Sequence, residues 1–278
     1  MIDIISIYSN ICSKYNIEFS IEPSILSYDE STLFCPAGMQ KYKNNFTDNS
    51  VINKTIANMQ ACLRVNDIES LGDGSHLAYF NMIGTFSFRN WTVEQTIKFW
   101  EEYLELINVV PDYVTIHPDC EKWKNFHFCR DVRYDNNCIW SDGKIGGYCT
   151  EFYHKNIEIG NIVNPLGNCI DVGFGFERLN QIVNNLNPLS EKESLVSCIN
   201  KIIESGISPS NLKHGYVLRK LLRRLVEIKG EMNHRFFIDE QKRQIQLKNK
   251  YIKLLPKYKD KSPEWWMDTH GINIKEIK

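Results

Sequence analysis

Apolar positions along the N-terminal stretch "MIDIISIYSNICSKYN" are interrupted by Asp3, Ser6, Asn10 and Lys14, the pattern of an amphipathic helix. "TVEQTIKFWEEYLELI" (92–107) has the same periodicity, and Thr92 with Gln95 forms a capping-box pattern at its start. Between these helices and beyond them lie shorter runs of β type: "STLFCPAG", "ACLRVNDIE", "LAYFNMIGTFSF", "YVTIHP" and "NCIDVGF". Their irregular spacing argues against a repeating βαβ array and for an antiparallel sheet flanked by helices. After the turn signal "NNLNPLSEKES" strand signals nearly vanish. We therefore expect an α+β domain over residues 1–185 and a helical domain over 186–278, with no internal repeat or low-complexity linker.

Composition changes this picture little. The 278 residues are 42% hydrophobic and 24% charged, ordinary for a soluble globular chain with ample core. Neither a membrane span nor the tripartite pattern of a secretion signal is visible, so a cytoplasmic location is the expectation. The nine cysteines contain no CxxC pair, and Cys120, Cys129 and Cys138 near His117 and His127 match no common zinc spacing. Reduced, mostly buried thiols and no zinc are expected.

Charge is more informative. The net charge is −1, yet residues 211–261 carry fifteen Lys and Arg against five acids. In "GYVLRKLLRRLVEIKG", Val217, Leu218, Leu221, Leu222, Leu225 and Ile228 can share one helix face, while Arg219, Lys220, Arg223 and Arg224 form a stripe on another. A basic stripe about two turns long suits a phosphate backbone.

Two stretches carry candidate chemistry. In "DVGFGFERL" (171–179) a strand turns through glycines into a helix, which can bring backbone close to a phosphate and is also an ordinary way to end a strand. "QACLRVNDIESLGDGSHLAYFNMIG" (60–84) reads as strand, polar loop, strand. Such a hairpin can hold ATP, with Arg64 on the α-phosphate, His76 near the outer phosphates and Phe80 against the adenine. Arg178 could cover the other face of the base, with Gly173 and Gly175 leaving room for the nucleotide. Taken singly, Phe80 reads as a core aromatic and Arg64 as a surface ion pair; their joint order is the more specific signal.

In that order the sequence resembles the class II aminoacyl-tRNA synthetases, and within them the alanyl-tRNA synthetase family. "TLFCPAGMQKYKNNF" (32–46) is similar to the first motif region, the Arg64–Phe80 hairpin to the second motif and "IDVGFGFERL" to the third. "GGYCTEFY" (146–153) resembles the Gly-Pro-Cys-x-Glu segment without its proline, and "EIGNIV" (158–163) resembles Glu-x-Trp-Asn-x-Val with Gly160 in place of Trp. "PSNLKHGYVLRKLLRRLV" (209–226) and "WWMDTHGI" (265–272) resemble two blocks of a tRNA-recognition domain.

The resemblance implies ATP-dependent activation of alanine and its transfer to tRNA(Ala), with Mg²⁺ as cofactor. Neither DNA nor a membrane is implied as partner. By the same resemblance Arg64 and Arg178 are the catalytic pair. Glu151 and Glu158 are metal or ATP ligands, Asp171 with Asn161 receives the substrate ammonium, and Trp140 is a pocket wall. Asn211 and Asp268 match readers of the acceptor stem. Gly160 is expected to reshape the amino-acid pocket, and no block resembles the family's editing domain. Two other readings stay open: an enzyme that loads an activated amino acid onto a carrier or metabolite, and a non-catalytic RNA-binding paralogue.

Overall fold

Nine strands build the sheet of the first unit in the computed structural model, which describes residues 1–274 and divides after Leu189. In chain order its elements are α1 (Ile4–Lys14), β1 (Glu18–Glu22), α2 (Lys43–Thr47), β2 (Lys54–Leu63), β3 (Tyr79–Phe88), α3 (Val93–Leu106) and β4 (Tyr113–Ile116). There follow β5 (Val132–Tyr134), β6 (Ile139–Ser141), β7 (Gly146–His154), β8 (Ile157–Val163), β9 (Cys169–Gly175) and α4 (Phe176–Asn184). The sheet order is β1-β2-β3-β9-β8-β7-β4-β5, with β6 added to β7.

The central run from β2 to β4 is antiparallel, as the sequence pattern predicts. Its tightest connection is the β7–β8 hairpin, where Lys155 (φ 50°) and Asn156 (φ 62°) both take the left-handed conformation of a type I′ turn. Two edge pairs are parallel instead, β1 with β2 and β4 with β5. Each is joined by a long crossing segment, the kind of connection parallel pairing requires. "STLFCPAG", expected as a strand, makes only the isolated Leu26–Phe34 bridge, consistent with Pro36 and Gly38 interrupting any ladder.

Helices α1 and α3 supply aromatic groups to one sheet face. Tyr8, fully buried, donates to the Gly84 carbonyl at 2.9 Å, and Trp100 donates from Nε1 to Thr85 Oγ1 at 2.8 Å. The start of α3 is the capping box that its sequence predicts, with Gln95 N on Thr92 Oγ1 at 3.2 Å and Thr92 N on Gln95 Oε1 at 2.9 Å.

A β-bulge interrupts the β7–β8 ladder. Phe152 pairs with Gly160 and Tyr153 with Glu158, leaving Ile159 as the extra residue. Glu158 and Asn161, three positions apart, consequently share one face and are bonded at 3.3 Å. Gly160 is turned the other way. A Cβ built on it would lie 2.3 Å from the Phe174 ring, which stacks on Trp100 at 4.3 Å. The departure from Trp at this position therefore bears on the sheet core; only the backbone of Gly160 borders the cavity on the opposite face.

The second unit contains α5 (Glu191–Glu204), α6 (Lys213–Glu227), α7 (Arg235–Tyr258) and α8 (Pro263–His270). Val217, Leu218, Leu221, Leu222 and Leu225 are the buried face of α6; Ile228 lies past its last turn and is half-buried. Trp266 of α8 is buried, with the Tyr251 ring edge-on at 4.9 Å. Among the described residues no helix is long and apolar enough to cross a membrane.

The Gly160–Phe174 contact is open to test. Gly160→Ala should cost about 1–3 kcal/mol by overpacking, read from urea denaturation, and adding Phe174→Leu should recover part of the loss. A neutral Gly160→Ala would mean that the ring yields freely.

Candidate functional site

Strand β2 ends at Leu63, so Arg64 leaves the sheet at its first free position. Its Nε donates to the Pro36 carbonyl at 2.9 Å, and its guanidinium lies over the Phe80 ring at 5.0 Å. Strand β3 begins at Tyr79, placing His76 in the preceding loop. That loop turns at Gly72 (φ 92°) and Gly74 (φ 87°), and Asp73 organises the residues on its β3 side. Asp73 Oδ1 accepts from the backbone N–H of Ser75 (2.8 Å) and His76 (2.9 Å), and Oδ2 meets His76 Nδ1 at 2.6 Å. These bonds hold the Asp73 carboxyl well below the usual carboxylate range.

The β9 strand alternates, with Ile170, Val172 and Phe174 buried in the core and Asp171, Gly173 and Gly175 along the opposite face. Arg178, in the first turn of α4, donates from Nη1 to the Glu158 carbonyl (2.6 Å) and from Nη2 to the Ser75 carbonyl (2.8 Å). Burial lowers its pKa, but an Arg group stays charged in any protein setting. A cavity of about 330 Å³ results, lined by Arg64, His76, Phe80, Trp140, Glu158, Asn161, Asp171, Gly173, Gly175 and Arg178 among others. Residues proposed from separate sequence blocks thus share one cleft.

The glycines do less than expected. A Cβ at Gly173 would meet Met82 Sδ at 2.7 Å, so the missing side chain there makes room for Met82. At Gly175 a Cβ would make ordinary contact with Arg178 Cδ at 3.4 Å. Glu151 is a further departure, because it does not line the cavity. Its carboxylate accepts from the Tyr153 hydroxyl (2.7 Å) and the Thr115 hydroxyl (3.3 Å), alongside Cys149. Of the two proposed metal ligands, only Glu158 faces the cleft.

Four carboxyl groups line this cleft, Asp67 among them, and the other three sit in different electrostatic settings. Glu177, which the sequence reading passed over, accepts from Asn81 N (3.0 and 2.9 Å) and Asn81 Nδ2 (2.8 Å), while burial pushes its pKa up. Its place directly before Arg178 was the only signal for it. Burial and the neighbouring Glu151 raise Glu158, opposed by Arg178 and Arg64. Asp171 is buried, and burial with the nearby Asp142 raises it from 3.8 to about 7. No hydrogen bond to its carboxylate occurs among the described residues. A group so placed favours a cationic ligand.

The helical unit gathers another set. Arg219 Nη1 donates to Asn211 Oδ1, and Arg219 (3.9 Å), Arg223 (3.3 Å) and Arg243 (3.2 Å) surround the buried carboxylate of Glu240. Asn211, Arg219, Arg223, Arg243 and Lys248 line a groove of about 940 Å³. Asp268 is exposed on α8 and is not among the residues lining it. The stripe of α6 is accordingly part of an ion-pair network.

Residues 18–141 match the family model for class II (A) tRNA synthetases. An alanine–tRNA ligase of Chlamydia caviae is 28% identical over 71% of this chain and 32% of that protein. The corresponding enzyme of Tropheryma whipplei is 25% identical over 81% of this chain and 34% of its own length. The chain thus spans about a third of the length of these relatives. A solved structure of Desulfitobacterium hafniense PylSc, a pyrrolysyl tRNA synthetase, covers 66% of this chain and 69% of that one, at 11% identity and a TM-score of 0.45. The matched segment starts with β1, passes through Arg64 and Phe80 and reaches the cavity wall at Trp140, so that over residues 18–141 the chain is similar to the class II tRNA synthetases.

Proposed function

We propose that the chain activates alanine with ATP and passes the aminoacyl group to tRNA(Ala). The observation that carries this reading is the convergence of Arg64, His76, Phe80, Asp171 and Arg178 on one cleft. In the first step an oxygen of the amino-acid carboxylate bonds to the α-phosphorus, and the bond to the pyrophosphate oxygen breaks. Negative charge on the α-phosphate is met by Arg64, which lines the cleft and lies over Phe80. Phe80 and Arg178 offer two flat faces for the adenine, and His76, oriented by Asp73, suits the outer phosphates.

Asp171, with Asn161 nearby in the cleft, is suited to the substrate ammonium, since a small amino acid offers little apolar area. Trp140 then limits side-chain size. Glu158 fits Mg²⁺: it is a cleft-facing carboxylate whose raised pKa reports poor solvation, and hard cations take such oxygens. The metal, when bound, supplies neutralisation of phosphate charge. In the helical unit, the Arg219, Arg223 and Arg243 cluster suits an RNA backbone, and Asn211 and Asp268 suit base-edge contacts in the acceptor stem.

Pyrophosphate exchange dependent on alanine, followed by RNase-sensitive charging of total tRNA with labelled alanine, tests the proposal. Arg64→Ala should lower exchange about 10²–10³-fold, as loss of one donor to a developing oxyanion does. Arg223→Ala and Asp268→Ala should leave exchange intact and impair charging, with Arg223→Ala also reducing the salt slope of tRNA binding by about one. Exchange without charging would sink the tRNA assignment and point to another acceptor. Normal charging by Asp268→Ala would remove that residue from the interface.

Asp171 gives a pH dependence of defined sign. Its proton leaves near pH 7 in the folded chain, so the form that receives an ammonium is depleted below that point. KM for alanine in exchange should rise about tenfold per pH unit below that value. Asp171→Asn should flatten the profile and raise KM about 10–100-fold at higher pH. The raised pKa also means stability is lost as pH climbs from 3.8 to about 7. Asp171→Asn should thus be the more stable chain in mild alkali, by at most on the order of 4 kcal/mol, and lose that advantage in acid. Profiles that coincide for the two chains would dismiss the role.

A further inference from the structure

Beside the cleft, three side chains from neighbouring strands converge on a point that nothing in the synthetase reading uses. Cys149 and Glu151 are two positions apart on β7 and so face the same way. Cys138 immediately precedes β6, and Cys149 N bonds to its carbonyl at 2.9 Å, which brings the Cys138 side chain alongside. The two sulfurs and a Glu151 oxygen all lie within 4.8 Å of one another. No other such group of three occurs among the described residues.

We propose that Cys138, Cys149 and Glu151 form a binding site for a thiophilic divalent cation, with zinc as the type. Zinc bonds of about 2.3 Å to sulfur and 2.0 Å to oxygen put tetrahedral ligand atoms roughly 3.3–3.8 Å apart. The Cys149 Sγ to Glu151 Oε1 distance of 3.8 Å is at that spacing. The ligand atoms are also held from behind, as ligands in metal sites usually are. Thr115 Oγ1 accepts from the Cys138 thiol at 3.0 Å and donates to Glu151 Oε2 at 3.3 Å, and the Tyr153 hydroxyl donates to the same oxygen at 2.7 Å. Binding would displace the thiol protons to solvent, leaving two thiolates and a carboxylate around the ion. Water or the Thr115 hydroxyl completes the fourth position.

The charge setting favours this occupant. Glu158 already raises the negative potential around Glu151 and Cys149, and burial keeps water from screening it. Sulfur ligands select against Mg²⁺, so the site is distinct in chemistry from the Glu158 position in the cleft. Cys35 and Cys62 provide an internal comparison. They form another close thiol pair, but no third ligand joins them.

The test uses the full chain, reduced and stripped of metal, titrated with Cd²⁺ or Co²⁺ while thiolate-to-metal charge-transfer absorbance is followed. Zn²⁺ affinity is then read by competition with a chromophoric chelator. One equivalent should bind with thiolate absorbance. Cys138→Ser and Glu151→Gln should each weaken binding at least about tenfold, since loss of a supporting group alone costs 10–100-fold, while Cys35→Ser should leave it unchanged. Glu151→Gln keeps both thiols, and its thermal melt without metal checks that any loss is not misfolding. Absence of thiolate absorbance in the parent chain, or binding that responds to Cys35→Ser but not to Cys138→Ser or Glu151→Gln, would overturn the assignment. The readout is metal binding, so it stands apart from whether alanine or tRNA is the substrate.

Discussion

The Arg178 guanidinium spans the cleft, taking the Ser75 carbonyl of the β2–β3 loop on one side and the Glu158 carbonyl at the β8 bulge on the other. Both carbonyls lie outside the regular ladder and need donors. A rigid fork of N–H groups serves both at once, which a lysine ammonium on a mobile stem would do less well. Through this one side chain the loop that carries His76 is tied to the strand that carries Glu158 and Asn161. The bulge matters for the same reason: with a regular β8, Glu158 and Asn161 would point to opposite faces of the sheet. The cleft is therefore a joint product of a register irregularity and a buried cation.

The carboxyl groups around that cation are graded by their partners. Glu177 receives three N–H contacts from Asn81 and is fixed as a structural acceptor. Glu158 feels two guanidinium groups and one carboxylate, an intermediate balance. Asp171 has burial and a second acid against it and no cation in its favour. Folding has left the least compensated of these carboxyl groups buried in the wall of the cleft. A ligand that brings its own positive charge gains most there, and one that brings phosphates gains most near Arg64 and Arg178. The cleft thus carries both an uncompensated acid and two guanidinium groups on its walls.

Much of this was legible in the sequence because the relevant residues act through backbone position. Arg64 follows the last residue of a strand, Phe80 lies near the start of the next, and Arg178 is in the first turn of a helix. Period-two alternation alone puts Asp171 opposite the core face of β9. What the sequence hid depends on cross-strand register. Gly160 reads as a pocket residue until the bulge turns it toward Phe174. Glu151 reads as a ligand of the same site as Glu158, because without the register shift at Phe152–Tyr153 its neighbours are not known. Cys138 and Cys149 match no linear zinc pattern since their proximity arises from β6 pairing with β7. The loss of "STLFCPAG" as a strand has a local cause, the Pro36 and Gly38 within it.

The helical unit shows the same limit in its charges. Composition counts the basic residues of α6 and α7 but does not reveal that Glu240, only 7% exposed, lies among three arginines. A buried carboxylate is costly unless paired, and here each arginine that offsets part of that desolvation is itself fixed in position. The same groove also holds Asn211, Glu227, Lys229 and Lys248. An exposed stripe of the same arginines would offer more charge on long mobile side chains. The network gives up some of that charge and gains orientation, since planar donors held by a common acceptor have less rotamer freedom left to lose when a phosphate arrives. Removing Glu240 would thus leave the groove more positive yet less ordered, so net charge alone is a poor guide to how tightly it would hold an RNA backbone.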